Sequence, residues 1–398
     1  MSESAAAQVV APRDGAGEGV WPFRTRLGPF SLPPRRVRLY GVALAVMGLV
    51  PIDTALVNGG ADWPAFWSAG ATVGTSDLVD PARHIAWQAA HGVAMVDWPY
   101  PPAVAYLFAP FTLVPIWLGF VIHAAIMLGL VGLAGLLAAR IFDLPPNLAV
   151  LLAFAWTPST AGAVIGQNAP LAVFLALWAI DALRRDEPWE AGLACGLIMY
   201  KPTLALPLIG LLVLRSQWRA LLVAGGVIAA GYLISVSAAA GDWYWPVAWW
   251  NGLQPWLAND LVGNANKAVS IPGVVGRLPG LPPWVPNLIA AAIVLLSLRG
   301  LRRAPIREAA AAACLLALAI GPRVWAYEAA LMLPILAWAI AGGLREPWRT
   351  RLIFAALPMG LLWLVSAYTV VSGVAVIVAV ATAMWLWRWR PLAPAPWP

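Results

Sequence analysis

Residues 116–139, IWLGFVIHAAIMLGLVGLAGLLAA, run for 24 positions without a charged side chain and stop at Arg140. A helix needs about 20 apolar residues to cross the roughly 30 Å hydrocarbon core of a bilayer, so this stretch reads as a transmembrane helix. Further apolar runs lie at 39–57, 103–114, 147–165, 168–183, 189–200, 202–214, 219–239, 284–298, 308–321, 329–344, 352–368 and 372–387. They explain why 61% of the 398 residues are hydrophobic and only 11% charged, at a mean hydropathy of +0.77. A soluble domain is roughly 25% charged, which excludes a soluble enzyme, a disordered protein and a nucleic-acid-binding module. Several runs are too short for a full crossing and read as half-helices or helices broken at Pro. Broken helices at membrane depth are tolerated where they line a protein or water cavity, a first pointer to a buried site. Thirteen runs cannot return both termini to one side, so 103–114 or a neighbour is read as re-entrant. The expectation is an all-α integral membrane bundle of about 12 transmembrane helices.

Arginine sets the orientation. Residues 1–34 are polar and read as a disordered cytoplasmic tail, and Arg35, Arg36 and Arg38 precede the first run. Cytoplasmic loops collect Lys and Arg, which puts the N-terminus and the clusters Arg184/Arg185, Arg215/Arg219, Arg299–Arg307, Arg345–Arg351 and Arg388/Arg390 inside. Nineteen of 23 Arg then lie on one side, so the net charge of +7 records topology, not a polyanion partner. Residues 189–214 become a hairpin with Tyr200-Lys201-Pro202 at its outer tip. Arg140, Asp143 and Asp181 are not placed by this reasoning. Residues 35–390 form one membrane domain with outer loops 58–102 and 240–283, and 391–398 are a short Pro-rich tail. No repeat of 20–50 residues is visible, and the two Cys imply neither a disulfide framework nor a metal cluster.

The outer face carries few charges, and those few are informative. Asp62, after the first run, is a candidate general base, able to take a proton from an attacking hydroxyl; an interfacial anchor is the bland alternative. Asp53, inside the first run, is a second candidate acid, with capping an equal reading. Lys201, Arg277 and Arg323 violate the inward bias of the basic residues, and binding an anion at the membrane boundary is the simplest reason for them. Tyr100 sits in Trp98-Pro99-Tyr100-Pro101-Pro102, chiefly a turn but able to line a site. In Gly166-Gln167-Asn168 the turn needs only Gly and Asn, leaving the Gln167 amide for a sugar hydroxyl. Arg323 and Glu328 in Gly321–Glu328 could simply pair with each other. The Trp crowd at 243, 245, 249, 250, 256 and 284 reads mostly as an interfacial belt. There is no DxD, HExxH, GxSxG or glycine-rich phosphate loop, and the three His are scattered.

Taken in order, these motifs resemble glycosyltransferase family 87, the polyprenyl-phosphate-mannose-dependent mannosyltransferases of the GT-C superfamily. The resemblance rests on Asp62 to Gly70, Tyr100-Pro-Pro, Gly166-Gln-Asn, Lys201-Pro-Thr, Asn264/Asn266 with Ser270 and Arg277, and Pro322-Arg323 to Tyr327-Glu328. It implies a GT-C-type fold in a bacterial inner membrane with an active site facing the periplasm. It implies a polyprenyl-phosphate hexose donor, a lipid or glycan acceptor, and no metal or other cofactor. Asp62 would be the base; Lys201, Arg323 and Arg277 would hold the donor phosphate. Tyr100, Gln167, Asn168, Asn266, Tyr327 and Glu328 would contact substrate. Tyr327-Glu328 departs from many relatives, which carry His or another residue there. The rival readings are a polyisoprenoid or lipid-linked sugar transporter without catalysis, and a structural envelope factor.

Overall fold

The computed structural model describes residues 60–263, 267–321, 323–341 and 367–388. The regular elements among them are helical. Most helices carry Pro in their first turn: α1 (Trp63–Thr72), α2 (Pro81–Ala90), α4 (Pro146–Ala155), α5 (Thr157–Val164), α6 (Ala169–Arg184), α7 (Pro188–Ile198), α8 (Pro202–Leu214), α11 (Ile271–Val275) and α12 (Val285–Arg303). Proline has no N–H to leave unsatisfied there, and its fixed φ suits a helix start. Much of the Pro content is thus used to start and separate short helices. The remaining helices are α3 (Ile116–Phe142), α9 (Trp218–Ala238), α10 (Trp245–Gly263), α13 (Ile306–Ile320), α14 (Leu333–Ala341) and α15 (Ala367–Arg388).

Three helices, α3, α9 and α12, are long and apolar enough to cross a membrane, and a fourth span arises if α4 and α5, bent by 62°, count as one. Their outward faces carry bare apolar side chains such as Leu136, Leu222, Leu233, Leu288 and Leu295, as lipid contact requires. The described residues therefore give no support to about 12 crossings. Helices α7 and α8 have 11 and 13 residues, which at 1.5 Å per residue reach roughly 16–20 Å, short of a bilayer core. The run at 103–114 is not a crossing: it forms two 3-10 helices, Pro102–Leu107 and Ala109–Leu113. The runs at 39–57 and 352–366, and both terminal tails, lie outside the described residues.

The core sits around α13, whose Ala309–Ala319 side chains are all buried. Small side chains let helix backbones approach closely, and α13 packs against α6, α8, α12, α14 and α15.

The bundle has two chemically distinct ends. At one, Asp181 is buried among Arg140, Arg184 and Arg185. There Arg307 pairs with Asp143 at 3.3 Å, and Arg215 donates to the carbonyls of Leu301 and Ala304. The three residues that sequence left unplaced, Arg140, Asp143 and Asp181, belong to this arginine end. Following α8 back from Arg215, or α13 forward from Arg307, leads to the opposite end, where Lys201 and Arg323 lie.

Candidate active site

Asp62 directly precedes α1, where an Asp side chain ordinarily caps free helix N–H groups. Asp80 does so for α2, accepting from the N–H groups of Ala82 and Arg83. The Asp62 carboxylate makes no cap. Instead the Asp62 backbone N–H donates to Ile165 O at 2.9 Å, and its Oδ2 accepts from Gln167 Nε2 at 2.7 Å. Gly166 makes this docking possible. Its φ is +85°, and a Cβ there would lie 2.8 Å from the Trp63 backbone nitrogen. Trp63 is in turn fixed by an Nε1 hydrogen bond to Ile116 O at 2.8 Å and by edge contacts with Phe108 and Phe111. The segment that opens α1 is thereby pinned to the helical bundle at the residue that carries the acid.

The Gln167 amide has its orientation set from both sides. Its Nε2 donates to Asp62, while its Oε1 accepts from the Tyr100 hydroxyl at 2.9 Å. Tyr100 is buried, so its O–H needs this partner. Burial pushes the Asp62 carboxyl above the ordinary Asp value, and the Gln167 hydrogen bond and the charges of Lys201, Lys267 and Arg323 pull it back only in part.

Lys201 sits in the turn between α7 and α8, where Pro202 begins the second helix. Its Nζ pairs with Glu328 Oε1 at 2.7 Å and lies 5.7 Å and 5.2 Å from the Tyr100 and Tyr327 ring centres. Burial alone would lower the Lys201 pKa; the facing Glu328 carboxylate together with the Tyr100 and Tyr200 hydroxyls outweighs it, and the net direction is up. Glu328 opens the 3-10 helix Ala326–Met332, and its Oε2 accepts the Trp325 N–H at 2.8 Å. Trp156 at the α4–α5 bend holds this segment, donating from Nε1 to Ala329 O at 2.7 Å. The break between α4 and α5 thus packs on the segment that carries Glu328.

The Arg323 guanidinium stacks 3.6 Å from the Trp256 ring centre and 5.1 Å from Trp325. Glu328 faces Lys201, so the simple Arg323–Glu328 pair is not what occupies its Oε1. The 323–325 segment is bridged in antiparallel fashion to 268–269, with Val269 N–H on Val324 O at 2.8 Å, which brings Lys267 Nζ to 5.4 Å from the Trp325 ring.

The structure thus gathers Asp62, Tyr100, Gln167, Lys201, Arg323, Tyr327 and Glu328 at one end of the bundle. Two expected residues stand apart from that cluster. Asn168 faces His123, Oδ1 to Nε2 at 3.0 Å, and its carbonyl accepts from Tyr200. Arg277 donates to Ala268 O at 2.5 Å. Asn266 and Asp53 lie outside the described residues. Sequence reasoning missed Lys267, Trp256 and Trp325 as neighbours of the site. The signal for Lys267 was present, since it is one of only two lysines in the chain.

Residues 98–334 match the profile of a family described as Glycosyltransferase family 87. The matched stretch includes Tyr100, Gln167, Lys201, Lys267, Arg323 and Glu328; Asp62 lies before it. No curated protein and no solved structure matches the chain.

Proposed function

The chain belongs to glycosyltransferase family 87, and from that premise we propose a GT-C-type enzyme that moves a hexose, mannose in the first instance, from a polyprenyl-phosphate donor to a lipid or glycan hydroxyl. The observation that carries this reading is Asp62. Its carboxylate is only partly covered, it does not cap its helix, and it is held by Gln167 within the field of three cations.

The chemistry asks for little more. The acceptor oxygen attacks the anomeric carbon, the bond from that carbon to the phosphate oxygen breaks, and the electron pair leaves with the phosphate. The acceptor proton passes to Asp62 as the new bond forms. A single displacement with one base inverts the anomeric carbon. The leaving phosphate needs no proton of its own, only positive charge placed in a low-dielectric setting, and Lys201, Lys267 and Arg323 are the groups for that. No metal or cofactor is required by this scheme. Tyr100 and Gln167 hold the base, and Glu328 holds Lys201.

The separation of an arginine end from the acid-bearing end supports an orientation with the arginines in the cytoplasm and the site facing outward, as in a bacterial cytoplasmic membrane. The test is transfer of label from polyprenyl-phosphate mannose in membranes containing the protein. Label retained on the donor with mannose, glucose and arabinose alike would overturn the donor class.

A further inference from the structure

Resting on the reading of the chain as a transferase with a sugar acceptor, we propose that a cavity between α2 and α10 is an acceptor subsite, which holds one hydroxyl of that sugar through Trp98, Trp249 and His84.

The cavity lies where the segments 58–102 and 240–283 meet. Its wall includes His84 and Ile85 of α2, Asp97 and Trp98 beyond that helix, and Trp249 and Leu253 of α10. Gly252 lets α10 come this close, since a Cβ there would lie 2.7 Å from Pro81 Cδ. The space measures about 290 Å³ out to its open mouth, and its enclosed part is about the size of one water. It suits a single polar group rather than a whole sugar ring.

Three residues of this wall each leave a buried ring nitrogen without a hydrogen-bond partner among the described residues: Trp98 Nε1, Trp249 Nε1 and His84 Nδ1. Buried polar groups left unpaired cost free energy, so these nitrogens call for a partner from outside the fold. The His84 tautomer follows from its neighbours. Gln88 Oε1 accepts the Val96 N–H at 2.9 Å, which turns the amide so that Nε2 donates to Ser68 Oγ at 2.7 Å. Ser68 gives its own proton to Pro64 O at 2.7 Å and accepts from His84 Nε2, also at 2.7 Å. His84 Nδ1 is then a bare lone pair, and burial keeps the ring neutral by lowering its pKa to about 4. Two indole N–H donors and one imidazole acceptor complement a hydroxyl, which accepts twice and donates once.

The cavity also adjoins the acid. The Trp98 ring centre is 5.0 Å from that of Tyr100, whose hydroxyl donates to the Gln167 that holds Asp62. Asp62 stands six positions before Ser68, roughly 9 Å along α1, a separation that a disaccharide bridges.

The test is binding of the methyl glycosides of mannose, glucose and arabinose, each with its monodeoxy analogues, to the protein in nanodiscs by saturation-transfer NMR. Wild type, Trp249→Phe and Trp98→Phe are compared; each Phe keeps a ring and removes the N–H. Wild type is expected to bind one deoxy analogue about two- to tenfold more weakly than its parent, the range for one hydrogen bond. Trp249→Phe should weaken the parent by the same factor and bind parent and analogue alike, and Trp98→Phe should act in the same way on the same analogue. A loss of packing alone would weaken all the sugars together and leave the discrimination intact. No discrimination by wild type, or the same discrimination in wild type and both variants, overturns the subsite: the cavity then holds water alone. Failure of wild type to bind any of the three glycosides overturns it as well. Sugar transfer from polyprenyl-phosphate mannose is read separately, so the subsite can fall while the transferase reading stands; sugar binding with the predicted discrimination but no transfer sinks the donor reading instead.

Discussion

The Lys201–Glu328 pair yields the sharpest energetic prediction. Both side chains are withdrawn from water and meet at 2.7 Å. Removing one partner of a buried pair leaves the other charge uncompensated, at a cost of about 3–5 kcal/mol. Glu328→Leu should cost that much plus the penalty for the Trp325 N–H, which loses its acceptor at about 1–3 kcal/mol. Lys201→Met should cost about 3–5 kcal/mol for the stranded carboxylate. Replacing both by apolar residues of similar volume removes the charges together, which is often close to neutral, so the double variant should retain only the Trp325 term. The coupling energy is then about 6–10 kcal/mol, well above the 0.3–0.5 kcal/mol within which independent sites add. Unfolding of the four proteins in mixed micelles measures it, and transfer assays on the same samples separate stability from chemistry. The double variant should be folded and inactive, because the ammonium is gone. Additive costs for the two single changes would refute the reasoning, since they would mean that the pair is not formed in the folded protein.

Two further predictions concern the acid and its support. Gln167→Leu strands the buried Tyr100 hydroxyl, for about 1–3 kcal/mol. It also removes a hydrogen bond that holds the Asp62 carboxyl down, so the acid limb of kcat/KM against pH should move to higher pH; a limb that stays put or moves down contradicts the bridge. Gly166→Ala should lower the melting temperature more than Gly74→Ala. Both glycines have positive φ, a strain of about 1–3 kcal/mol for alanine, but only at Gly166 does the new methyl meet the Trp63 backbone, whereas Gly74 faces open space.

The membrane character and the gathering of arginines at one end of the bundle were legible because each rests on a simple physical tally. Apolar runs bury no charge, and arginines gather at one end, where Arg140 and Asp143 now also fall. The number of crossings was not legible. Runs such as 189–200 and 202–214 have the composition of membrane segments, but they fold as helices of 11 and 13 residues, too short to span; composition gives no information on where backbone hydrogen bonds break. Among site residues, Asp62, Lys201 and Glu328 stood out because charge is scarce on that face. Asn168 was named only through the family resemblance and is bound to His123, since an amide at a turn serves packing as readily as a ligand. The Lys267–Trp325–Arg323 arrangement depends on a bridge between segments more than fifty residues apart, and no local pattern announces that.

The central claim is that Asp62 removes the acceptor proton. Asp62→Asn keeps the size of the side chain and an acceptor for Gln167 Nε2 but abolishes the base. Because burial raises the Asp62 carboxyl, its protonated form is the one the fold favours; that stability is present below the ordinary carboxylate range and is lost as pH rises. At neutral pH the ionised group is therefore a cost, and the Asn variant should melt no lower than wild type. Its kcat for transfer from polyprenyl-phosphate mannose should fall by about 10²–10⁴-fold, the usual contribution of a general base. A folded Asp62→Asn protein that transfers sugar at the wild-type rate would contradict the claim outright.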